Sequence, residues 1–420
     1  LTAPSSNKAI RAAFLLRTLP AMPWISDQVL GLSERGVGVS VLAERVRSGD
    51  NFDPAQATYR DRIRVLGQAG GSARRALELV WDAARALPFR PADTARMLGR
   101  GLGARPRMGS FPLRMAMAAR LAGAEILHAH FANFARAILP ARRATGLPLV
   151  VSCYGWDVSA APRDDPGMYK ALFRESAAVV SLSESMNAIL RDLGCPPEKL
   201  EIVHISVRGE RLRRHVEEAR ARRKGPSPGK GPVRVLAAAR LVEKKGLDDA
   251  LEALAKLSRR GVPFTFRIVG DGPLRADLEA RAWTLGLADR VVFTGRLDRE
   301  AVFAEMALAD VFLLPSRTDA SGDQEGTPTA LIEACAVSIP CVSTFHAGIP
   351  EIILDGETGL LVPERDVAGL ADHLERLARD PALRVRFGRA ARARMDAEFD
   401  LDSQCARLES IYRRCAGRTA

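Results

Sequence analysis

The chain has 420 residues, too many for one ordinary core, so two globular units are the default expectation. An apolar fraction of 47% with 27% charged residues is that of a soluble globular protein, and no run approaches the ~18 apolar residues of a membrane span. The net charge of +12 is uneven: through Lys230 there are 36 Lys+Arg against 21 Asp+Glu, and beyond it 26 against 29.

The opening LTAPSSNKAIRAAFLL shows no clear cleavage site, and the run between Arg11 and Arg17 is too short for a secretory core, so it reads as a first buried strand. A helix near Ser26–Arg35 and the runs GVGVSVLA, AEILHAHF, GLPLVVSCYG, AAVVSLS and LEIVHIS follow. Strands alternating with helices argue for βαβ units and a parallel sheet over residues 1–209. Between about 68 and 122 Arg, Ala, Leu and Met at helical spacing replace this rhythm, as in a helical insertion. Residues 210–232 combine a charge run with a Pro/Gly/Ser-rich stretch and read as a connector without an apolar face.

A second alternation fills 233–403: VRVLAAAR, FTFRIVG, RVVFTG, ADVFLLPS, IPCVSTF and GLLVP, each followed by a helical pattern. A closing helix over 404–420 is expected to return to the first domain. The fold class is therefore α/β, with two Rossmann-like doubly wound parallel-sheet domains facing across a cleft. Open sheets of this kind bind ligands beyond the carboxyl ends of their strands. Six cysteines without C-x-x-C or zinc spacing suggest free thiols and a cytoplasmic setting.

Chemistry concentrates in EGTPTALIEA, residues 325–334. Thr327 suits an N-cap and Pro328 the first helical position, which leaves Glu325 in the loop and Glu333 inside the helix. A helix N-terminus offers N–H groups to phosphate oxygens. Glu333 lies about 7.5 Å along the axis from Pro328, roughly the step from a diphosphate to its ribose.

This E-x7-E, the LLPS that precedes it and the GIPEIILDGETGLLVPERD that follows resemble the large retaining glycosyltransferase family 4 of GT-B fold, in particular its bacterial exopolysaccharide branch. The resemblance runs from Val233 to Tyr412. It implies that Glu325 holds the donor sugar and Glu333 the ribose, with Gly326, Thr327, Thr329 and Ala330 on the phosphates. AARLVEKKG is similar to the family's G-R-L-x-x-x-K-G, with Ala239 in place of the first Gly, and makes Arg240 and Lys245 the cations facing the departing phosphate. VGDGPLR and FTGRL are glycine turns at strand ends, and the resemblance implies that Gly270, Arg296 and Leu297 in them lie near the nucleotide. No separate cofactor or metal is expected, and the donor substrate is a UDP- or GDP-sugar. The Asp400-x-Asp402 pair sits where aspartates cap helices.

In the first half, HAHFANFA and VVSCYGWD resemble the branch's H-A-H-F and T-x-H-G-x-D elements. His128 and His130 alternate on a strand and line a cleft or a core. Tyr154 stands where the family has a histidine, and a phenol is a poor base at neutral pH. Front-face substitution, in which a donor phosphate oxygen takes the acceptor proton, needs no protein base. The resemblance implies that Tyr154, His130 and Asp157 belong to the transfer and acceptor side, for a saccharide, lipid-linked or small-molecule acceptor, and Trp24 reads either as flanking that acceptor or as a buried aromatic anchor. Arg100, Arg105, Arg107 and Arg114 among Leu102, Met108, Phe111, Leu113 and Met115 read either as an Arg-rich solvated face or as a docking surface for anionic lipid, which would make the inner membrane face a partner. Competing classes are a phosphorylase of the same build and a non-catalytic membrane or nucleic-acid binder with a vestigial transferase fold. No RNA-binding aromatic motif supports a nucleic-acid partner.

Overall fold

The computed structural model describes residues 9–47, 54–66, 110–222 and 231–418. They form two compact units. The first comprises Leu1–Leu182, Asn187–Val203 and Leu401–Ala420, the second Ser183–Met186 and His204–Asp400.

The first unit is built on a seven-stranded, all-parallel sheet, with β1 (Arg11–Leu19), β2 (Gly38–Val46), β3 (Ile63–Val65), β4 (Ile126–His130), β5 (Leu149–Ser152), β6 (Ala178–Ser181) and β7 (Leu200–Ile202). Their order is β3-β2-β1-β4-β5-β6-β7. β1 and β4 pair in register from Ala12 with Ile126 to Leu15 with Ala129, and the direction of winding reverses there. Central strands of such a sheet are covered on both faces, which is why Phe14, Leu15, Leu127 and Val150 are buried in near-continuous apolar runs. The Pro23–Glu34 helix begins three residues before the expected Ser26, with Pro23 in its first turn and no side-chain cap. The Leu401–Cys415 helix lies against it and adds Leu401, Leu408, Ile411 and Tyr412 to the core.

The second unit carries six parallel strands, β8 (Val233–Ala238), β9 (Phe264–Val269), β10 (Val291–Gly295), β11 (Val311–Leu313), β12 (Cys341–Thr344) and β13 (Gly359–Val362). Their order β10-β9-β8-β11-β12-β13 reverses between β8 and β11. The Leu247–Arg259 helix shows the periodicity clearly: Leu247, Ala250, Leu251, Leu254 and Leu257 are buried, three and four apart.

Two features differ from the sequence reading. The charged stretch after Gly209 is a helix, Gly209–Ala221, and it does have an apolar stripe: Leu212 and Val216, one turn apart, are buried against the Arg299–Leu308 and Thr329–Ala336 helices. His215 stacks on Phe303 with ring centroids 5.6 Å apart. Of the residues expected to meet lipid, Arg114 is 8% exposed with Nη1 donating to the Leu66 carbonyl, and Met115 is fully buried. They belong to the packing of the Ser110–Leu121 helix and cannot face a bilayer. Arg100, Leu102, Arg105, Arg107 and Met108 lie outside the described residues. Among the described residues no helix is long and apolar enough to cross a membrane.

Candidate active site

Four strand ends of the second unit supply the predicted donor residues. After β8 the chain turns through Arg240 into a short 3-10 turn, Glu243–Lys245, and Gly246 then starts the Leu247–Arg259 helix. Gly246 has φ +62°, and a Cβ there would stand 1.9 Å from the Pro315 carbonyl oxygen. Gly270, after β9, has φ +132°, and a Cβ would stand 1.9 Å from the Ala239 carbonyl oxygen. Only glycine permits both the backbone conformation and this approach. The loops after β8, β9 and β11 are thereby drawn together. Gly270 N–H donates to Gly295 O, which brings the turn after β9 beside Arg296 and Leu297.

The pair Lys245 and Glu325 meets at the reversal of strand order. Lys245 Nζ is 2.6 Å from Glu325 Oε1, and both side chains are largely buried. Burial pushes the Glu325 carboxyl up, but Lys245 and Lys244 more than offset it and hold it below its ordinary value. It is ionised at neutral pH. Lys244 in turn binds Asp323 Oδ2 at 2.9 Å and the Gln324 carbonyl at 3.2 Å. Arg317, 5% exposed, reaches Asp249 and Asp248 at 2.5 and 2.8 Å and ties the same loop to the next helix. Arg240 is exposed and has no acid partner among the described residues.

The helix after Glu325 runs Thr329–Ala336. Its cap is Pro328, extended at φ −67° and ψ 106°, so the expected Thr327 cap with Pro328 inside the helix is displaced by one residue. A ψ of that size cannot enter a helical turn. Thr327 Oγ1 therefore caps nothing, and it is buried with no hydrogen-bond partner among the described residues. The N–H groups of Gly326, Thr327, Thr329 and Ala330 likewise find no acceptor among the described residues. Leu331, Ile332, Ala334 and Cys335 face the core, which leaves Thr329, Ala330 and Glu333 on the opposite, half-exposed stripe. Such a helix start, with unsatisfied donors and a nearby lysine, is suited to phosphate oxygens.

His346 and Glu364 join this site without having been singled out in the sequence. The Glu325 N–H donates to His346 Nε2 at 3.1 Å, and His346 Nδ1 lies 2.6 Å from Glu364 Oε1. His346 stands within the FHAGIPE segment, where the P-E that follows is the more familiar signal.

In the first unit the predicted residues gather at the ends of β4 and β5. Tyr154 Oη lies 2.8 Å from His130 Nδ1, and the Trp24 ring is 6.1 Å from that of Tyr154. Burial lowers the His130 pKa to about 3, so its ring is neutral, and it raises that of Tyr154. His130 Nε2 is buried with no hydrogen-bond partner among the described residues. His128 belongs to the core, bonded to Tyr412 Oη at 2.5 Å and Ser152 Oγ at 2.8 Å. Phe131, between strand and helix, holds φ +73°, a conformation that costs a non-glycine residue free energy.

Asp157 is fully buried and serves both neighbouring helices. Its carboxylate accepts from the N–H groups of Ala132 at 3.0 Å, Asn133 at 3.5 Å and Tyr154 at 3.3 Å. Burial raises its pKa to about 7 from 3.8, against these hydrogen bonds. The native state therefore keeps a proton that the unfolded chain has lost, and stability from this group falls as pH rises from about 4 to 7. Asp157→Asn should remove that slope. The difference in unfolding free energy between variant and wild type is expected to grow in favour of the variant across this window, by up to the order of a few kcal/mol. A difference independent of pH would contradict the protonated Asp157.

Asp402 of the D-x-D pair is bonded to Arg35 at 3.0 Å, and Asp400 bridges to Val207. Among the described residues no three His, Cys, Asp or Glu side chains gather as a metal site.

Comparison with known proteins gives two family matches that divide the chain. The model for glycosyl transferases group 1 matches residues 218–394, and that for a glycosyl transferase 4-like domain matches residues 24–205. The amylovoran biosynthesis glycosyltransferase AmsK of Erwinia amylovora is 37% identical over 248 residues, 59% of each chain. The GDP-mannose-dependent alpha-(1-6)-phosphatidylinositol monomannoside mannosyltransferase of Mycolicibacterium smegmatis is 40% identical over 177 residues, 42% of this chain and 46% of the relative. The chain thus spans about half the length of the curated relatives it matches. Among solved structures, Anabaena Alr3699/HepE in complex with UDP-glucose superposes with a TM-score of 0.71 at 16% identity, covering 96% of this chain and 99% of that one.

Proposed function

The chain belongs to the group 1 glycosyl transferases, with a glycosyl transferase 4-like domain preceding that segment, and on this premise we propose that it transfers a sugar from a UDP- or GDP-sugar. The acceptor is a saccharide, lipid-linked or small molecule in polysaccharide or glycoconjugate biosynthesis, and the anomeric configuration is retained. The observation that carries the reading is the Lys245–Glu325 contact beside the open N–H groups of Gly326, Thr327, Thr329 and Ala330.

In this reading the diphosphate lies on those N–H groups, with Arg240 and Lys245 opposite its charge. Glu333, one turn beyond Thr329, accepts the ribose hydroxyls, while Gly270, Arg296 and Leu297 border the nucleoside. Glu325 accepts from the sugar hydroxyls beside the anomeric carbon. The bond from that carbon to the phosphate oxygen breaks, the acceptor oxygen bonds to the carbon from the same face, and its proton passes to the departing phosphate. Fixed cations and N–H dipoles stabilise the charge that develops there, so the step asks for no metal. An ionised Glu325 fits a holding role and not that of a general acid. Trp24, His130, Tyr154 and Asp157 belong to the acceptor side, with Asp157 acting through the backbone it caps.

A thermal-shift screen with UDP, GDP, ADP and TDP and their sugars tests the donor assignment. One nucleoside diphosphate should stabilise the protein by about 2.7 kcal/mol at a hundredfold excess over its Kd. A flat response to all of them would overturn the reading.

A further inference from the structure

The Asp323–Glu325 segment is held twice. Lysines 244 and 245 hold the side chains, and His346 holds the main chain. A peptide N–H can only donate, so the Glu325 N–H at 3.1 Å requires a lone pair on His346 Nε2. The ring proton is therefore on Nδ1, from which it is donated to Glu364 Oε1 at 2.6 Å. Glu364 also accepts from the Thr318 N–H at 3.0 Å and from Thr318 Oγ1 at 3.4 Å. Burial would raise the Glu364 pKa, but the Thr318 N–H and His346 more than offset it, so the acceptor stays ionised. His346 is 2% exposed, and its tautomer is set from both sides.

We propose that His346, oriented by Glu364, is a positioning residue for Glu325: it fixes the peptide that aims the Glu325 carboxylate at the donor sugar, without touching the nucleotide. The proposal rests on the reading of Glu325 as the sugar-holding group. Glu364 at the end of β13 and His346 just after β12 set the loop after β11 from its far side, while Lys245 sets it from β8. Loss of either tether leaves the carboxylate held at one point only. A side chain that must meet a sugar hydroxyl to within a fraction of an ångström does not tolerate that freedom.

Three substitutions separate the two hydrogen bonds. Gln at 346 places an acceptor near the position of Nε2, Asn places a donor near that of Nδ1, and Leu supplies neither. H346Q should keep transfer within a few-fold of wild type, whereas H346N and H346L should lower kcat by at least about tenfold. The thermal shift given by the responding nucleoside diphosphate without sugar should be unchanged in all three, which also reports folding. Glu364→Gln, retaining an acceptor for Nδ1–H, is the milder variant if H346L does not fold, and should lower kcat by less than H346N. Equal rates in H346Q and H346N, normal turnover in H346L, or loss of the nucleotide shift in step with transfer would overturn the proposal. Normal transfer by Glu325→Gln would instead sink the reading on which it rests, so the two failures are distinguishable.

Discussion

Glu325→Gln is expected to lower transfer by about 10²–10³-fold, the usual cost of removing a preorganised polar group from a reacting centre. Gln keeps the shape and can still accept one hydrogen bond from Lys245, so the loop should stay closed and the fold intact. What disappears is the negative charge held 2.6 Å from Lys245 Nζ. If the carboxylate serves only as a structural counter-ion, the variant will lose melting temperature and transfer normally once folded. If it holds the donor sugar, turnover collapses while the nucleoside diphosphate still gives its thermal shift. Steady-state kinetics beside that shift decide between them, and near-normal turnover would refute the assignment.

The second large effect is on stability. Gly246→Ala must place a Cβ 1.9 Å from the Pro315 carbonyl oxygen at φ +62°. The left-handed backbone alone costs about 1–2 kcal/mol, and forcing the loops after β8 and β11 apart adds roughly 1–3 kcal/mol. Because Lys245 immediately precedes this glycine, the nucleotide-induced shift should weaken as well. Gly261 is the control: its φ is +72°, but nothing lies within 4 Å of a Cβ there. Gly261→Ala should cost only the backbone term, about 1–2 kcal/mol, and leave ligand binding untouched. Equal destabilisation in the two variants would mean that the close approach to Pro315 contributes nothing.

Both sheets are legible in the sequence because buried parallel strands read as short apolar runs at regular intervals. Lys245 and Glu325 are legible as well, since each follows a strand and the two loops border the point where winding reverses. The helix starts one residue later than its sequence suggests, because Thr-Pro suits a cap followed by a first turn, whereas the backbone keeps Pro328 extended. The Gly209–Ala221 helix is hard to see in the sequence because two apolar residues, Leu212 and Val216, are a thin stripe among so many charges. Arg114 misled in the opposite sense: its place between apolar residues suggests a lipid surface, yet its guanidinium is buried on a main-chain carbonyl. His346 could not be found from spacing at all. Its meaning depends on Glu325 and Glu364, 21 and 18 positions away, which meet only once three strands are side by side.

Tyr412 seals the hydrogen bond to His128 deep in the first unit, and it comes from the Leu401–Cys415 helix, after every residue of the second unit has been read. Domains ordinarily close in the order in which the ribosome delivers them. Here the first unit lacks part of its core until the last helix is made, whereas every residue of the second unit has been delivered by Asp400.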